Sequence, residues 1–400
     1  MTVWIANPFD NLPDEGTRPQ RYAAFAEAFA AAGHETVLWS CDFSHARKER
    51  RNLSDAIRRD WTLRLVHVPE YRRNVSFARF ASHRAFGRAF LREAREAVAS
   101  GALRKPDLVI ASAPPLACAS AAIALKREFG CKASIDIQDA WPETFARLLP
   151  LPSARLRNAF SHIVFAPFYR EARAAYAAAD SVTAVSERYL DIAMRAGAPA
   201  GRVALFRLGV PLGEAPRRAA GDGPLKAVYI GNLGRTYDIP TLTEAVERFP
   251  GATLDIAGDG PCRGRVERAV SRCGRVRYRG YLGGRELRAL LEKCDLGIVP
   301  MRPDAFVGVP GKLADYAAAA LPVASSLGGE AAEMIAGYGA GFRYEYGNRR
   351  SLEEVFAKVS GDRAMLAAAG LRAREMAEKE FDASRIAAEF VRFTVSAPFC

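Results

Sequence analysis

The 400 residues include 57 Lys and Arg against 45 Asp and Glu, a formal charge of +12, and they are 50% hydrophobic and 26% charged. That length predicts two domains, and the balanced composition excludes a disordered, collagen-like or disulfide-scaffold chain. The positive excess favours an anionic partner, be it nucleic acid, anionic lipid or a phosphorylated small molecule, without choosing among them.

The chain enters a strand at 3–6 with no basic, apolar or cleavage segment ahead of it, so export is not expected. From there short apolar runs bounded by Gly, Pro or Asp alternate with Ala-rich stretches of helical period, the pattern of βα units on a parallel sheet. Strands are expected at 3–6, 36–39, 63–68, 107–111, 134–137 and 180–185. Tyr22, Phe25, Ala26 and Phe29 recur at i, i+3, i+4 and i+7, and Gly33 ends the helix they define. The apolar run 116–125 is too short to cross a bilayer, which takes about 18 to 20 residues.

Stretch 71–88 holds five arginines, no acid and the aromatics Tyr71, Phe77, Phe80 and Phe86. As a helix it could turn Phe77 and Phe80 with guanidinium groups toward an anionic membrane surface, or bury its phenylalanines against the sheet. The segment 213–224, rich in Gly, Pro and Arg, reads as a linker. A second series of strands follows at 226–230, 253–257, 276–279, 295–300 and 321–325, with helices near 240–249, 285–293, 311–320 and 329–336 and a helical tail over 362–393. The expected fold is α/β, two doubly wound Rossmann-like domains facing across a cleft. Residues 1–212 are expected to form the first domain, 225–375 the second, and 376–400 a C-terminal helix packing back toward the first domain.

Function in such folds belongs to loops at the carboxyl ends of strands. Gly231, Asn232, Gly234 and Arg235 follow one strand and lead into a helix, an arrangement that admits a diphosphate as readily as it makes a plain tight turn. Gly258, Asp259 and Gly260 leave the next strand, where they could border a base or simply turn the chain. Pro310 and Gly311 open a helix whose first turn holds Lys312, with Asp315 three residues on. Together they supply a cation for phosphates and a carboxylate for ribose hydroxyls, unless they form an exposed ion pair. No GxGxxG or Walker A pattern is present, which argues against nicotinamide, flavin and P-loop chemistry.

These loops, with Tyr281-Leu282-Gly283, the run 294–300 and Tyr316 followed by Leu321-Pro322-Val323, resemble the nucleotide-sugar domain of family 4 glycosyltransferases of the GT-B fold. In the first half Asp14 to Arg18, Ala113-Pro114-Pro115-Leu116 and the run 136–143 resemble the branch that builds bacterial surface polysaccharides. The resemblance implies retaining transfer of a sugar from a nucleotide donor to a saccharide or lipid-linked acceptor, with no cofactor and no metal required. By matching position it assigns Asp315 to the ribose, Lys312 and Arg235 to the diphosphate, and Gly16, Thr17 and Arg18 to the opposite side of the leaving group. Asp139 would face the sugar, its alternative role being a helix cap. Many members carry an acid eight positions before the ribose-binding residue, where this chain has Val307.

The histidines at 34, 45, 67, 83 and 162 show no metal spacing, and His67 is expected in the core. Seven cysteines without a CxxC pair suit a reducing cytoplasm, with attachment to the inner face of a membrane the expected extension. A nucleic-acid role lacks any zinc-finger, helix-turn-helix or RNP pattern. Two other readings stay open: a GT-B sugar-nucleotide epimerase and a noncatalytic nucleotide-sugar-binding protein.

Overall fold

A computed structural model describes residues 1–15, 20–53, 59–151, 153–214, 216, 223–234, 236–302 and 307–396. The chain divides into two units, Met1–Arg207 with Ser384–Cys400, and Leu208–Ala383.

The first unit holds β1 (Thr2–Ala6), β2 (Glu35–Cys41), the short strands β3 (Phe43–Ser44) and β4 (Glu49–Arg50), β5 (Thr62–Val66), β6 (Leu108–Ala113), β7 (Lys132–Ile137), β8 (Ser181–Ala184) and β9 (Val203–Leu205). Apart from the antiparallel β3–β4 ribbon these form one parallel sheet in the order β5-β2-β1-β6-β7-β8-β9. Order reverses between β1 and β6, so the crevice outside their carboxyl ends is the natural ligand position. Helices α1 (Arg21–Ala31), α2 (Phe77–Ala99), α3 (Leu116–Phe129), α4 (Ala154–Val164), α5 (Ala166–Ala178) and α6 (Glu187–Arg195) link the strands. β1, β6 and β7 are buried along their whole length; β1 and β6 read as near-continuous apolar runs, whereas β7 alternates Lys132, Ser134 and Asp136 with apolar residues.

A buried ion pair sits inside this unit. Asp136 on β7 accepts from Arg21 Nε at 2.9 Å and Nη2 at 3.0 Å, from the Tyr22 hydroxyl at 2.8 Å and from Thr183 Oγ1 at 2.6 Å. The satisfied carboxylate thereby ties α1, β7 and β8 together, and Arg21 Nη1 also donates to the Arg207 carbonyl at 2.8 Å.

In the second unit β10 (Leu225–Ile230), β11 (Ala252–Ala257), β12 (Val276–Gly280), β13 (Leu296–Val299), β14 (Val323–Ser325) and β15 (Gly341–Arg343) form a parallel sheet ordered β12-β11-β10-β13-β14-β15. Its switch point lies between β10 and β13. The helices are α7 (Ile239–Arg248), α8 (Arg263–Arg272), α9 (Gly284–Glu292), α10 (Gly311–Ala318), α11 (Gly329–Tyr338), α12 (Arg349–Gly361) and α13 (Arg363–Glu380). A last helix, α14 (Ala383–Ser396), returns to the first unit, where Phe390 stacks on Phe25 with ring centroids 3.9 Å apart.

The boundary at 207 precedes the segment 213–224 read as linker, of which 215 and 217–222 lie outside the described residues. The tail is two helices broken at 381–382, and residues 376–380 belong to the second unit. Strands β9 and β15 went unforeseen because three half-buried residues give no period to detect. His67 departs from expectation: it lies one residue past β5 with its side chain 76% exposed and Nδ1 2.7 Å from Asp42 Oδ2.

Candidate functional site

In the second unit three loops leave the carboxyl ends of the adjacent strands β11, β10 and β13. The middle loop is stitched to both neighbours. Leu233 N donates to the Asp259 carbonyl at 2.9 Å and Cys262 N to the Leu233 carbonyl at 2.8 Å, while Asp238 N reaches the Pro300 carbonyl at 2.8 Å. Leu233 anchors the loop in the apolar core, leaving Gly231 and Asn232 exposed.

Gly258 exists for a backbone reason. Its φ is +139°, and a Cβ there would lie 1.9 Å from the Gly231 carbonyl oxygen, so the two loops touch main chain to main chain. Gly258→Ala is therefore expected to lower stability by about 2 to 4 kcal/mol, seen as a lower calorimetric melting temperature. A variant as stable as the parent would contradict this close approach. Gly260 N donates to Asp259 Oδ1 at 2.8 Å, so the exposed Asp259 side chain first serves its own turn.

Lys312 is the chemical centre of the cluster. It stands in the first turn of α10, which starts after Pro310 with no side-chain cap on its free N–H groups. Tyr316, one turn on, fixes the helix to the sheet: its hydroxyl accepts from Ile230 N at 3.0 Å and lies 3.2 Å from the Val228 and Ile298 carbonyls. The Lys312 side chain is thereby carried inward until it is only 8% exposed. Its Nζ lies 3.6 Å from the Tyr237 ring centroid and 4.1 Å from that of Tyr229, and has no hydrogen-bonding partner. A Cβ on Gly231 would be 3.6 Å from it, so the ammonium lies directly beneath the glycine loop.

Burial pushes the Lys312 pKa well below the ordinary lysine value, because removing the ammonium from water disfavours its charged form. The two aromatic faces give partial compensation, and among the described residues no carboxylate does. The exposed ion pair with Asp315 allowed by the spacing is thus not formed: Lys312 is buried and Asp315 is half-buried on the same short helix. An anion arriving at the loop would meet an unpartnered lysine able to take up a proton, free helix N–H groups and exposed glycine backbone together.

The sequence reading missed Tyr229 and Tyr237. Tyr229 lies on β10 and its hydroxyl donates to the Asn232 carbonyl at 2.6 Å, so the aromatic next to a strand's last residue was the available signal. Val307 packs on the apolar core cluster that includes Leu313 and Ala314. Arg235 lies outside the described residues, as do Gly16, Thr17 and Arg18. Just ahead of the latter, Glu15 is pinned by Arg51 Nη1 at 2.6 Å.

Asp139 belongs to the first unit, on the loop after β7. It does not cap the following 3₁₀ helix, Glu143–Leu148, whose preceding residue is Pro142; its Oδ1 instead accepts from Ala140 N at 2.8 Å. Burial raises its pKa, opposed by that hydrogen bond and by the Arg79 guanidinium. Arg79 is itself held over the Trp141 and Phe9 rings, at 5.3 and 5.5 Å, and donates to His83 Nε2 at 3.2 Å. In the 71–88 stretch the aromatics are mostly internal while half of the residues are exposed: Tyr71 and Phe86 are buried, Phe80 packs on Trp141, Phe145 and Phe168, and Phe77 alone of the four aromatics is exposed. Among the described residues no group of three or more His, Cys, Asp or Glu could hold a metal, and no helix is long and apolar enough to cross a membrane.

Comparison with known proteins gives a consistent result. Residues 19–209 match the family described as glycosyl transferase 4-like domain, and residues 224–362 the family described as glycosyl transferases group 1. Sucrose-phosphate synthase from Thermosynechococcus elongatus is similar in structure, at 17% identity over 98% of each chain with a TM-score of 0.72. HepE of Anabaena, solved with UDP-glucose, is similar at 14% identity over 100% of each chain, TM-score 0.66. WaaG, a glycosyltransferase involved in lipopolysaccharide biosynthesis, is similar at 13% identity over 98% of this chain and 100% of its own, TM-score 0.65. None of the curated proteins compared with the chain matches it.

Proposed function

The chain is a glycosyltransferase of the GT-B fold, and from that premise we propose that it moves a sugar from a nucleoside-diphosphate donor to a saccharide or lipid-linked saccharide acceptor. Transfer proceeds with retention at the anomeric carbon, in polysaccharide or glycolipid assembly. The observation that carries the donor half is the buried, unpartnered Lys312 ammonium beneath the Gly231 loop. The UDP-glucose bound by HepE and the lipopolysaccharide role of WaaG support the donor and acceptor classes respectively.

In this reading Lys312, Arg235 and the N–H groups at Gly311 and Lys312 take the diphosphate, and Asp315 accepts from the ribose hydroxyls. Gly231, Gly234, Gly258 and Gly260 let backbone approach the ligand, flanked by Asn232, Asp259 and Pro310. Gly16, Thr17 and Arg18 act from the first unit. The bond from the anomeric carbon to the diphosphate oxygen breaks, the acceptor oxygen bonds to that carbon, and the acceptor proton passes to the departing diphosphate. Charge grows on the leaving group as the bond lengthens, so a preorganised cation stabilises the transition state more than the ground state. Asp139 supports the positive charge developing on the sugar or orients the acceptor. No metal is required, since the charge is assigned to Lys312 and Arg235, and the setting is the cytoplasmic face of a membrane.

Thermal-shift titration against UDP-, GDP-, dTDP- and ADP-sugars tests the proposal. A donor at a hundred times its dissociation constant should stabilise the protein by about 2.7 kcal/mol, and the same donor should be consumed on incubation. Stabilisation without consumption would point to the noncatalytic binding protein, and no response to any of the four would contradict the reading.

A further inference from the structure

In the first unit the segments that follow β1, β2, β5 and β7 meet in one cluster, at the end of the sheet where ligands of such folds bind. They bring Phe9 from the loop after β1, His45 and Lys48 from the tip of the β3–β4 ribbon, Arg79 from the first turn of α2 and Trp141 from the loop that carries Asp139. The rings of Phe9 and His45 lie 5.1 Å apart, those of Phe9 and His83 5.0 Å, and those of His83 and Trp141 5.3 Å. Phe9, His45, Lys48 and Arg79 are all half-buried, so the cluster reaches the surface.

Its two cations have only neutral partners among the described residues. Lys48 Nζ donates to the His45 carbonyl at 2.6 Å and lies 3.3 Å from His45 Nδ1, which hydrogen-bonds the Tyr71 hydroxyl. Arg79 donates to His83 Nε2 and, at 2.8 Å, to the Asn74 carbonyl, and a guanidinium has five N–H groups to give. Asp139 acts on Arg79 without forming an ion pair, and the nearby Arg51 is already committed to Glu15. Burial and the Arg79 charge push the Lys48 pKa down to about 8, while burial and the same cations push His45 to about 3, so the imidazole adds no charge of its own. Lys48 also holds a φ of +62°, the left-handed region that a lysine rarely adopts. A strained backbone that carries a cation to a place without a counter-charge is the mark of a ligand group more than of packing.

We propose that this cluster is a subsite for an anionic saccharide, with Phe9 and His45 packing on the sugar ring and Arg79 and Lys48 holding a carboxylate or phosphate that the sugar carries. A forked guanidinium beside an ammonium suits either group, and the aromatic rings would be idle if the ligand were a bare anion. That this saccharide is the acceptor rests on the sugar-transfer reading above; that the site binds it does not.

Calorimetry on the full chain without nucleotide sugar tests the subsite, with glucuronate, glucose 6-phosphate, glucose and inorganic phosphate as probes. Glucuronate or glucose 6-phosphate should bind at least about tenfold more tightly than glucose and than inorganic phosphate, and the tighter of the two identifies the charged group. Arg79→Gln should weaken that binding at least about tenfold. Lys48→Gly should do the same with a melting temperature unchanged or raised, because glycine relieves the positive φ, whereas Lys312→Met in the second unit should leave it intact. Three results would overturn the proposal: neither anionic sugar binds, both bind no better than glucose or phosphate, or binding survives in Lys48→Gly and is lost in Lys312→Met. Donor consumption without anionic-sugar binding would remove the subsite alone, and anionic-sugar binding without donor consumption would remove sugar transfer alone.

Discussion

Lys312→Ala is expected to weaken binding of a nucleoside diphosphate by at least about a hundredfold while leaving the nucleoside nearly unaffected, a difference of about 2.7 kcal/mol. An exposed lysine would not justify that figure, since surface ion pairs contribute about 0 to 1 kcal/mol. Lys312 is different, because its Nζ is buried without a hydrogen-bonding partner and the diphosphate would supply both the missing acceptors and the missing counter-charge. Lys312→Met, which keeps the apolar stem against Tyr229 and Tyr237, should show the same loss with less effect on stability. The sign of the pH dependence follows from burial. The free protein holds this lysine's pKa well below its ordinary value, and a bound diphosphate raises it again. Binding then takes up a proton between the two pKa values, so affinity falls as pH rises through that window, and the Lys312→Ala protein loses this dependence. Calorimetry in buffers of different ionisation enthalpy reads the proton directly. Equal loss of nucleoside and diphosphate affinity in the variant would return Lys312 to a packing role.

Asp139→Asn is expected to lower turnover by at least about a hundredfold while donor affinity stays nearly constant. The amide keeps the size of the side chain and can still accept from Ala140 N through its oxygen, so the loop is preserved and only the charge is removed. The carboxylate's charged neighbours are Arg79 and Arg147, and Arg79 is braced by Trp141, Phe9 and His83, so the group is held in place before any sugar arrives. Steady-state kinetics with a matched donor separates the outcomes. Normal turnover with a lower melting temperature would show that Asp139 serves only its turn.

Much of the fold could be read because its cause is local and repeated. Buried parallel strands such as β1 and β10 are mostly apolar, and each is followed within two residues by glycine or proline. The loops carrying Gly231, Gly258 and Lys312 were legible because ligands of doubly wound sheets bind at strand ends. Three-residue edge strands were not, nor was the break between α13 and α14, where apolar residues recur on both sides of residues 381–382. The tyrosine cage around Lys312 escaped notice for another reason. Tyr229, Tyr237 and Lys312 come from three separate segments, and only the contact of β10 with its neighbours brings them together.

The central claim, that this chain transfers a sugar from a nucleotide donor held over Lys312, is tested most directly by release of nucleoside diphosphate from the donor that stabilises the protein, measured with and without a saccharide acceptor. Parent protein should release it faster when the acceptor is present, and Lys312→Ala should fall at least about a hundredfold in kcat/KM. No release from any of the UDP-, GDP-, dTDP- or ADP-sugars, or equal rates for parent and variant, would contradict it.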